Sequence, residues 1–262
     1  MPLLKNLIDI RNNMQIRPKI IILAAGKGER LMPLTRNTPK PLLDLGNGKT
    51  LFEEQLEQMQ KSKAIGEVVL VTGYLAEQIE AKMKFWQESG AKITTVYNPF
   101  YEVSNNLISL WLVKHQMDED FIITNGDNLF DYEVFQNLVQ NHQNGIFLTI
   151  CKREKYGGDD MKVILDNEKV VQVSKLIDNE KADAESVGLV LVSGEKHKEL
   201  FKDSLEELAR NKEYLNKYWL EVFNLMSKRG IMVNTFEIDK NKWQEIDFHP
   251  NLESLRLKFK KE

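Results

Sequence analysis

The run Ile20-Ile21-Ile22-Leu23-Ala24-Ala25 empties directly into Gly26-Lys27-Gly28-Glu29-Arg30, and this junction constrains the fold more than any other stretch. Consecutive β-branched residues favour a strand buried on both faces. Glycines at its end let backbone N–H groups approach an anion with no Cβ in the way. Two cations follow, Arg30 and then Lys40 between Pro39 and Pro41. Each adds full positive charge close to the loop. The combination fits a nucleoside triphosphate better than a neutral ligand. On the glycine loop alone, an ordinary strand–loop–helix with a surface Arg and Lys remains open.

Two commoner phosphate loops do not fit. The dinucleotide fingerprint needs a third glycine where this chain has Leu31. A Walker A loop ending at Gly48-Lys49-Thr50 needs its first glycine where Leu43 stands. Residues 46–49 therefore read as a hairpin or a strand-to-helix turn.

Strand and helix patterns alternate through the first half. Residues 19–24, 67–72, 92–97 and 121–124 read as strands, and residues 51–63, 75–88 and 107–115 as helices. That alternation is what a parallel sheet with right-handed crossovers requires. Ligands on such sheets bind beyond the carboxyl ends of the strands. Gly26, Gly73 and Asp127 each follow a strand end and should converge on one cleft. In the second half, residues 147–152, 162–165, 170–174 and 187–192 read as strands, with a hairpin turn at Asp166-Asn167-Glu168. Helices are expected over 195–212 and 215–229, then a strand over 232–237 and a short extended segment ending at Ile246-Asp247. The last residues, LKFKKE, read as a solvated end.

Leu23 to Pro41 resembles the signature of the sugar-phosphate nucleotidyltransferase superfamily, L-A-A-G-x-G-x-R-L-x-P-L-T-x-x-x-P-K-P, nearly position by position. Val71-Thr72-Gly73-Tyr74, Asn105-Asn106, Gly126-Asp127-Asn128 and Glu245-Ile246-Asp247 extend the likeness. Within the superfamily the chain most resembles small CTP:phosphocholine cytidylyltransferases and their relatives acting on phosphonate or inositol phosphate substrates. The resemblance implies a three-layer α/β/α, Rossmann-like fold with a mostly parallel mixed sheet. It implies CTP and a small phosphorylated or phosphonate acceptor as substrates, phosphocholine first and aminoethylphosphonate-type next, with Mg2+ as cofactor. A sugar-1-phosphate or inositol-phosphate enzyme is the alternative within the class. A non-catalytic nucleotide-binding regulator is the alternative outside it, and retention of Arg30, Lys40, Asp127 and Asp247 together speaks against it.

Residue by residue, the resemblance implies that Asp127 and Asp247 hold the metal. Lys40 contacts phosphate oxygens as charge builds, and Arg30 binds the leaving phosphates. Leu23, Ala24, Ala25, Gly26, Lys27 and Gly28 contact the nucleotide, with Gly73 and Tyr74 lining the base pocket. Lys175, after the strand at 170–174, is a phosphate candidate for the acceptor. Choline needs aromatic faces helped by a carboxylate, and Trp219 beside Tyr218, with Glu221, is the best local cluster. Asp159-Asp160-Met161-Lys162 matches a segment of the phosphonate and polyol-phosphate enzymes without a role that physics supplies.

Bulk properties bound the rest. Lys and Arg number 36 against 39 Asp and Glu, a net charge of −3, so no basic nucleic-acid footprint is indicated. The single cysteine, Cys151, excludes an intrachain disulfide and points to a reducing, cytoplasmic setting. No apolar run is long enough for a membrane span. Residues 1–18 read as an arm or short amphipathic helix, with a homodimer contact as the sharper option. Residues 19–262 read as one domain, its nucleotide-binding half at about 19–130 and its acceptor and lid half at about 131–262.

Overall fold

A computed structural model describes residues 17–142 and 144–259. The expected N-terminal arm lies outside the described residues except for Arg17 and Pro18. The first half runs β1 (Lys19–Leu23), α1 (Leu51–Ser62), β2 (Glu67–Thr72), α2 (Ala76–Glu88), β3 (Ile93–Tyr97), α3 (Asn106–Leu112) and β4 (Phe121–Asn125). Then come β5 (Asn128–Phe130), α4 (Tyr132–Asn141), β6 (Gly145–Cys151), β7 (Lys162–Asp166), β8 (Lys169–Ser174) and β9 (Ala184–Ser193). The chain continues with α5 (Glu195–Ala209), α6 (Glu221–Lys228), β10 (Asn234–Glu237), β11 (Trp243–Glu245) and α7 (His249–Phe259).

The main sheet has the order β3-β2-β1-β4-β9-β6-β10-β8-β7. It is parallel across β3-β2-β1-β4, and antiparallel on both sides of β9. The start of β9 also pairs with β7, Lys162 opposite Glu185, so the far end of the sheet curls back on itself. A two-stranded ribbon, β5 with β11, lies apart from it.

Alternation of side chains along the strands explains the three layers. Ile21, Leu23, Val69 and Val71 pack with Leu107, Phe201 and Phe223 from α3, α5 and α6. Ile20, Ile22, Val68 and Leu70 pack on the opposite face with Phe52, Ile79 and Phe135 from α1, α2 and α4. A third cluster joins Leu31, Leu43 and Leu45 to Ile246, Leu252 and Leu255. It fastens the signature loop to the C-terminal helix.

Local chemistry sets several boundaries. Asp44 bridges antiparallel to Thr50 and Leu45 N donates to Lys49 O at 3.0 Å, so residues 46–49 turn as a hairpin, directly before the reciprocal capping box of Thr50 and Glu53 on α1. Asn167 and Glu168 both take left-handed φ, 48° and 62°, as a two-residue hairpin between β7 and β8 requires.

The structure departs from the sequence reading in three places. The helix expected over 215–229 forms only at α6. Leu215 O accepts from Asn105 N at 2.8 Å and Trp219 N donates to Asn106 Oδ1 at 2.9 Å. These tertiary bonds take backbone groups that a helix would use. The helix expected over 107–115 gives way after Leu112 to a 3₁₀ turn, Lys114–Gln116. Helix α4 was not anticipated, although Val134, Phe135 and Leu138 are its buried face. The expected solvated end begins inside α7, where Leu257 is exposed, whereas Leu252 and Leu255 earlier in that helix are buried.

Candidate functional site

The parallel ends of β1, β2 and β4 are stitched together by the segments that leave them. Ala24 N donates to Val71 O at 2.9 Å, Gly126 N to Leu23 O at 2.8 Å and Tyr74 N to Ala25 O at 3.0 Å. Gly126 has no alternative here, because a Cβ would stand 2.7 Å from the Ala24 Cβ. Gly28 takes φ +64°, and Thr35 Oγ1 donates to its carbonyl at 2.8 Å, closing the signature loop. Above these ends lies a cavity of about 520 Å³ lined by Leu23, Ala24, Ala25, Gly26, Lys27 and Gly28, among others. Gly73 and Tyr74 stand one layer back: Gly73 packs on Ala25 and Tyr101, and the Tyr74 hydroxyl donates to Arg36 O at 2.6 Å.

Cations and carboxylates meet in the same cavity. Lys40 is 9% exposed, and its Nζ donates to Asp127 Oδ2 at 3.0 Å and to Asp247 Oδ1 at 3.1 Å. Burial alone would lower its pKa, but the two carboxylates raise it above the ordinary lysine value. Arg30 is ion-paired with Asp247 and with Asp159, the latter at 2.6 Å. Lys175 pairs with the other oxygen of Asp159 at 2.7 Å. Burial opposes ionisation of Asp159, yet Lys175 and Arg30 hold its pKa below the usual carboxylate value. One carboxylate thus bridges two cations as a phosphate would. Lys27 instead reaches Glu102 at 2.8 Å.

Asp127 is positioned by the backbone around it. Gln55 Nε2 donates to Gly126 O at 3.2 Å and Asn128 O at 2.7 Å, and Ile246 N donates to Asp127 O at 2.9 Å. The last bond carries Asp247 to Asp127. Asp127 Oδ1 is buried and has no hydrogen-bond partner. Such an orphaned oxygen is what a divalent cation would satisfy, so Asp127 and Asp247 fit Mg2+. Among the described residues, no group of three or more His, Cys, Asp or Glu is arranged to hold a metal ion. Phosphate oxygens and water would therefore complete the coordination. Neighbouring Glu245 is held well above the usual carboxylate range by burial and then by Asp127 and Asp247.

The second half of the chain adds Asp159, Asp160, Lys175, Glu185, Tyr218 and Trp219 to the lining. Trp219 is 0% exposed, packs edge-on against Phe223 and donates from Nε1 to Asn125 Oδ1 at 2.9 Å. It is core that touches the cavity. Tyr218 is the accessible ring, and Lys175 Nζ lies 5.0 Å from its centroid. Glu221 does not line the cavity; it accepts from Asn224 Nδ2 at 2.8 Å. Sequence reasoning missed Glu185 and Glu245 as cavity residues. The signal for Glu185 was a lone acid in the otherwise apolar and small strand AESVGLVLVS, every residue of which is buried. Eight acidic and four basic side chains line the cavity. Such a field suits an anion only if cations accompany it.

Family comparison agrees with this geometry. The model of the nucleotidyl transferase family matches residues 19–155, just over half of the chain. The chain belongs to the nucleotidyl transferase family. It is 38% identical over 149 residues to the choline-phosphate cytidylyltransferase of Streptococcus pneumoniae, covering 55% of this chain and 61% of that one. The CTP:phosphoglutamine cytidylyltransferase of Campylobacter jejuni is 26% identical over 263 residues, 89% of this chain and 97% of that one. The solved structure of the CTP:phosphocholine cytidylyltransferase from Streptococcus pneumoniae superposes with TM-score 0.75 at 29% identity, covering 92% of this chain and 99% of that one. Against several curated relatives, the pneumococcal enzyme among them, the chain spans between 37% and 61% of their length. The expected three-layer α/β fold and membership of the nucleotidyl transferase family both stand. No helix among the described residues is long and apolar enough to cross a membrane.

Proposed function

We propose that the protein transfers CMP from CTP to a small phosphorylated or phosphonate acceptor that also carries a positive charge, releasing pyrophosphate in a Mg2+-dependent reaction. The observation that carries this reading is the convergence of Arg30, Lys40 and Lys175 with Asp127 and Asp247 on one cavity. The cytidylyltransferases among its relatives support the choice of base. The acidic excess of the lining supports an acceptor with a cationic group.

In the reaction, an acceptor oxygen attacks the α-phosphorus of CTP in line. The bond from that phosphorus to the bridging oxygen breaks, and pyrophosphate leaves with the electron pair. The loop from Leu23 to Gly28 holds base, ribose and phosphates by backbone contact. Arg30 binds the departing phosphates. Lys40, fixed between two carboxylates, places its charge where negative charge accumulates at phosphorus. Lys175 orients the acceptor phosphate, which displaces Asp159 from between Lys175 and Arg30. Mg2+ held at Asp127 and Asp247 would neutralise phosphate charge.

A pyrophosphate-release assay tests this. CTP, UTP, GTP and dTTP are crossed with phosphocholine, phosphoethanolamine, aminoethylphosphonate, inositol phosphate and hexose 1-phosphates, with and without Mg2+. CTP with an amine-bearing acceptor should give the highest kcat/KM. Preference for UTP or dTTP with a hexose 1-phosphate would contradict the reading.

A further inference from the structure

We infer that the acceptor carries a primary ammonium group and that Glu185 is the side chain that binds it. The inference rests on the CMP-transfer reading and deepens it. A quaternary ammonium is recognised by open aromatic faces. On the acceptor side, the aromatic rings are buried or already carry a cation of the protein itself. Trp219 has no exposure, Lys175 already lies over Tyr218 at 5.0 Å, and Arg153 lies over Trp243 at 5.4 Å. Tyr101 lines the cavity on the nucleotide side, against Gly73.

Glu185 presents the opposite chemistry. It lines the cavity and is only 4% exposed. Its Oε2 is buried and accepts no hydrogen bond. Arg153 Nε forms an ion pair with that oxygen at 3.1 Å from outside the cavity, without a hydrogen bond's alignment. A buried acceptor of this kind is satisfied by a directional N–H donor, which a primary ammonium has and a trimethylammonium lacks. Burial first and Asp160 next push the Glu185 carboxyl up to about 7, while Arg153 and Lys162 oppose them. An ammonium would therefore also restore its charge.

Lys162 connects Glu185 to the phosphate-binding side. Lys162 pairs across from Glu185 in the sheet, and its Nζ donates to Lys175 O at 2.8 Å. The cation that takes the acceptor phosphate and the carboxylate that takes its nitrogen both line the cavity and are linked through Lys162. The inferred ligand is therefore a short aminoalkyl phosphate or phosphonate spanning the two.

The test is kcat/KM, by pyrophosphate release from CTP, along a methylation series: phosphoethanolamine, its N-methyl and N,N-dimethyl forms, and phosphocholine. Hexose 1-phosphates form a separate arm. For wild type we expect decline along the series, with phosphocholine at least tenfold below phosphoethanolamine. Glu185→Gln should lose at least tenfold on phosphoethanolamine and under threefold on phosphocholine. A wild-type preference for phosphocholine, or no preference, overturns the inference while CMP transfer stands, and this arm needs no variant. Equal losses on both acceptors in a folded Glu185→Gln enzyme overturn it too. Turnover only in the hexose arm overturns the functional reading itself.

Discussion

Lys40 Nζ bridges Asp127 Oδ2 at 3.0 Å and Asp247 Oδ1 at 3.1 Å, so a buried cation holds together two carboxylates from distant parts of the chain. Removing it leaves those charges facing each other. Lys40→Ala should lower kcat by roughly a hundredfold while changing the KM for CTP much less, as for loss of one preorganised donor in the transition state. Mg2+ should raise the Tm of this variant more than that of wild type, because the metal takes over charge that the lysine neutralised. A change in KM alone, with no added Mg2+ response, would contradict both halves.

Asp127→Asn should retain the fold and lose activity on the order of a thousandfold, a loss of several kcal/mol in transition-state stabilisation. Circular dichroism checks the fold, and a Mg2+ titration of rate checks the role. Near-normal turnover at ordinary Mg2+ levels would remove Asp127 from the site. Arg30→Ala, by contrast, should mainly raise the KM for CTP.

Trp219→Ala should destabilise the protein by about 3–5 kcal/mol in urea unfolding, the range for large-to-small changes in a packed core. Its residual activity should fall equally on phosphocholine and phosphoethanolamine. A loss confined to phosphocholine would show that the ring meets the acceptor's cation despite its burial.

The Glu185 carboxyl, raised to about 7 by burial, then by Asp160, against Arg153 and Lys162, gives a pH dependence of definite sign. From the ordinary carboxylate pKa of 4.5 up to about 7, the native group keeps a proton that the unfolded chain has released. Its contribution to stability therefore falls as pH rises through that window. Urea unfolding at pH 5 and pH 8 should show Glu185→Gln gaining on wild type at the higher pH. An unchanged difference would contradict the raised pKa.

The nucleotide half was legible because its chemistry is local. Ile20 to Gly28 carries both the buried apolar strand and the glycine loop, and the helical spacing of Leu51, Phe52, Leu56 and Met59 marks α1. The acceptor half was less so because its contacts are tertiary. Leu215 to Leu220 carries helical residue types, but Asn105 and Asn106 claim its backbone. Trp219 reads as an aromatic platform until Phe223 and Asn125 are seen around it. Asp159 is an ordinary loop acid in the sequence, and only folding sets it between Arg30 and Lys175. Glu185 is inconspicuous because nothing near it in the chain shows that its strand lines a cavity.

The most direct measurement is the identity of the product formed from CTP and phosphoethanolamine in the presence of Mg2+, followed by phosphorus NMR and mass spectrometry. The account predicts a CMP-linked diphosphate ester appearing in step with pyrophosphate, one for one. Consumption of CTP without an acceptor-linked product, or no consumption with any amine-bearing phosphate or phosphonate, would contradict it.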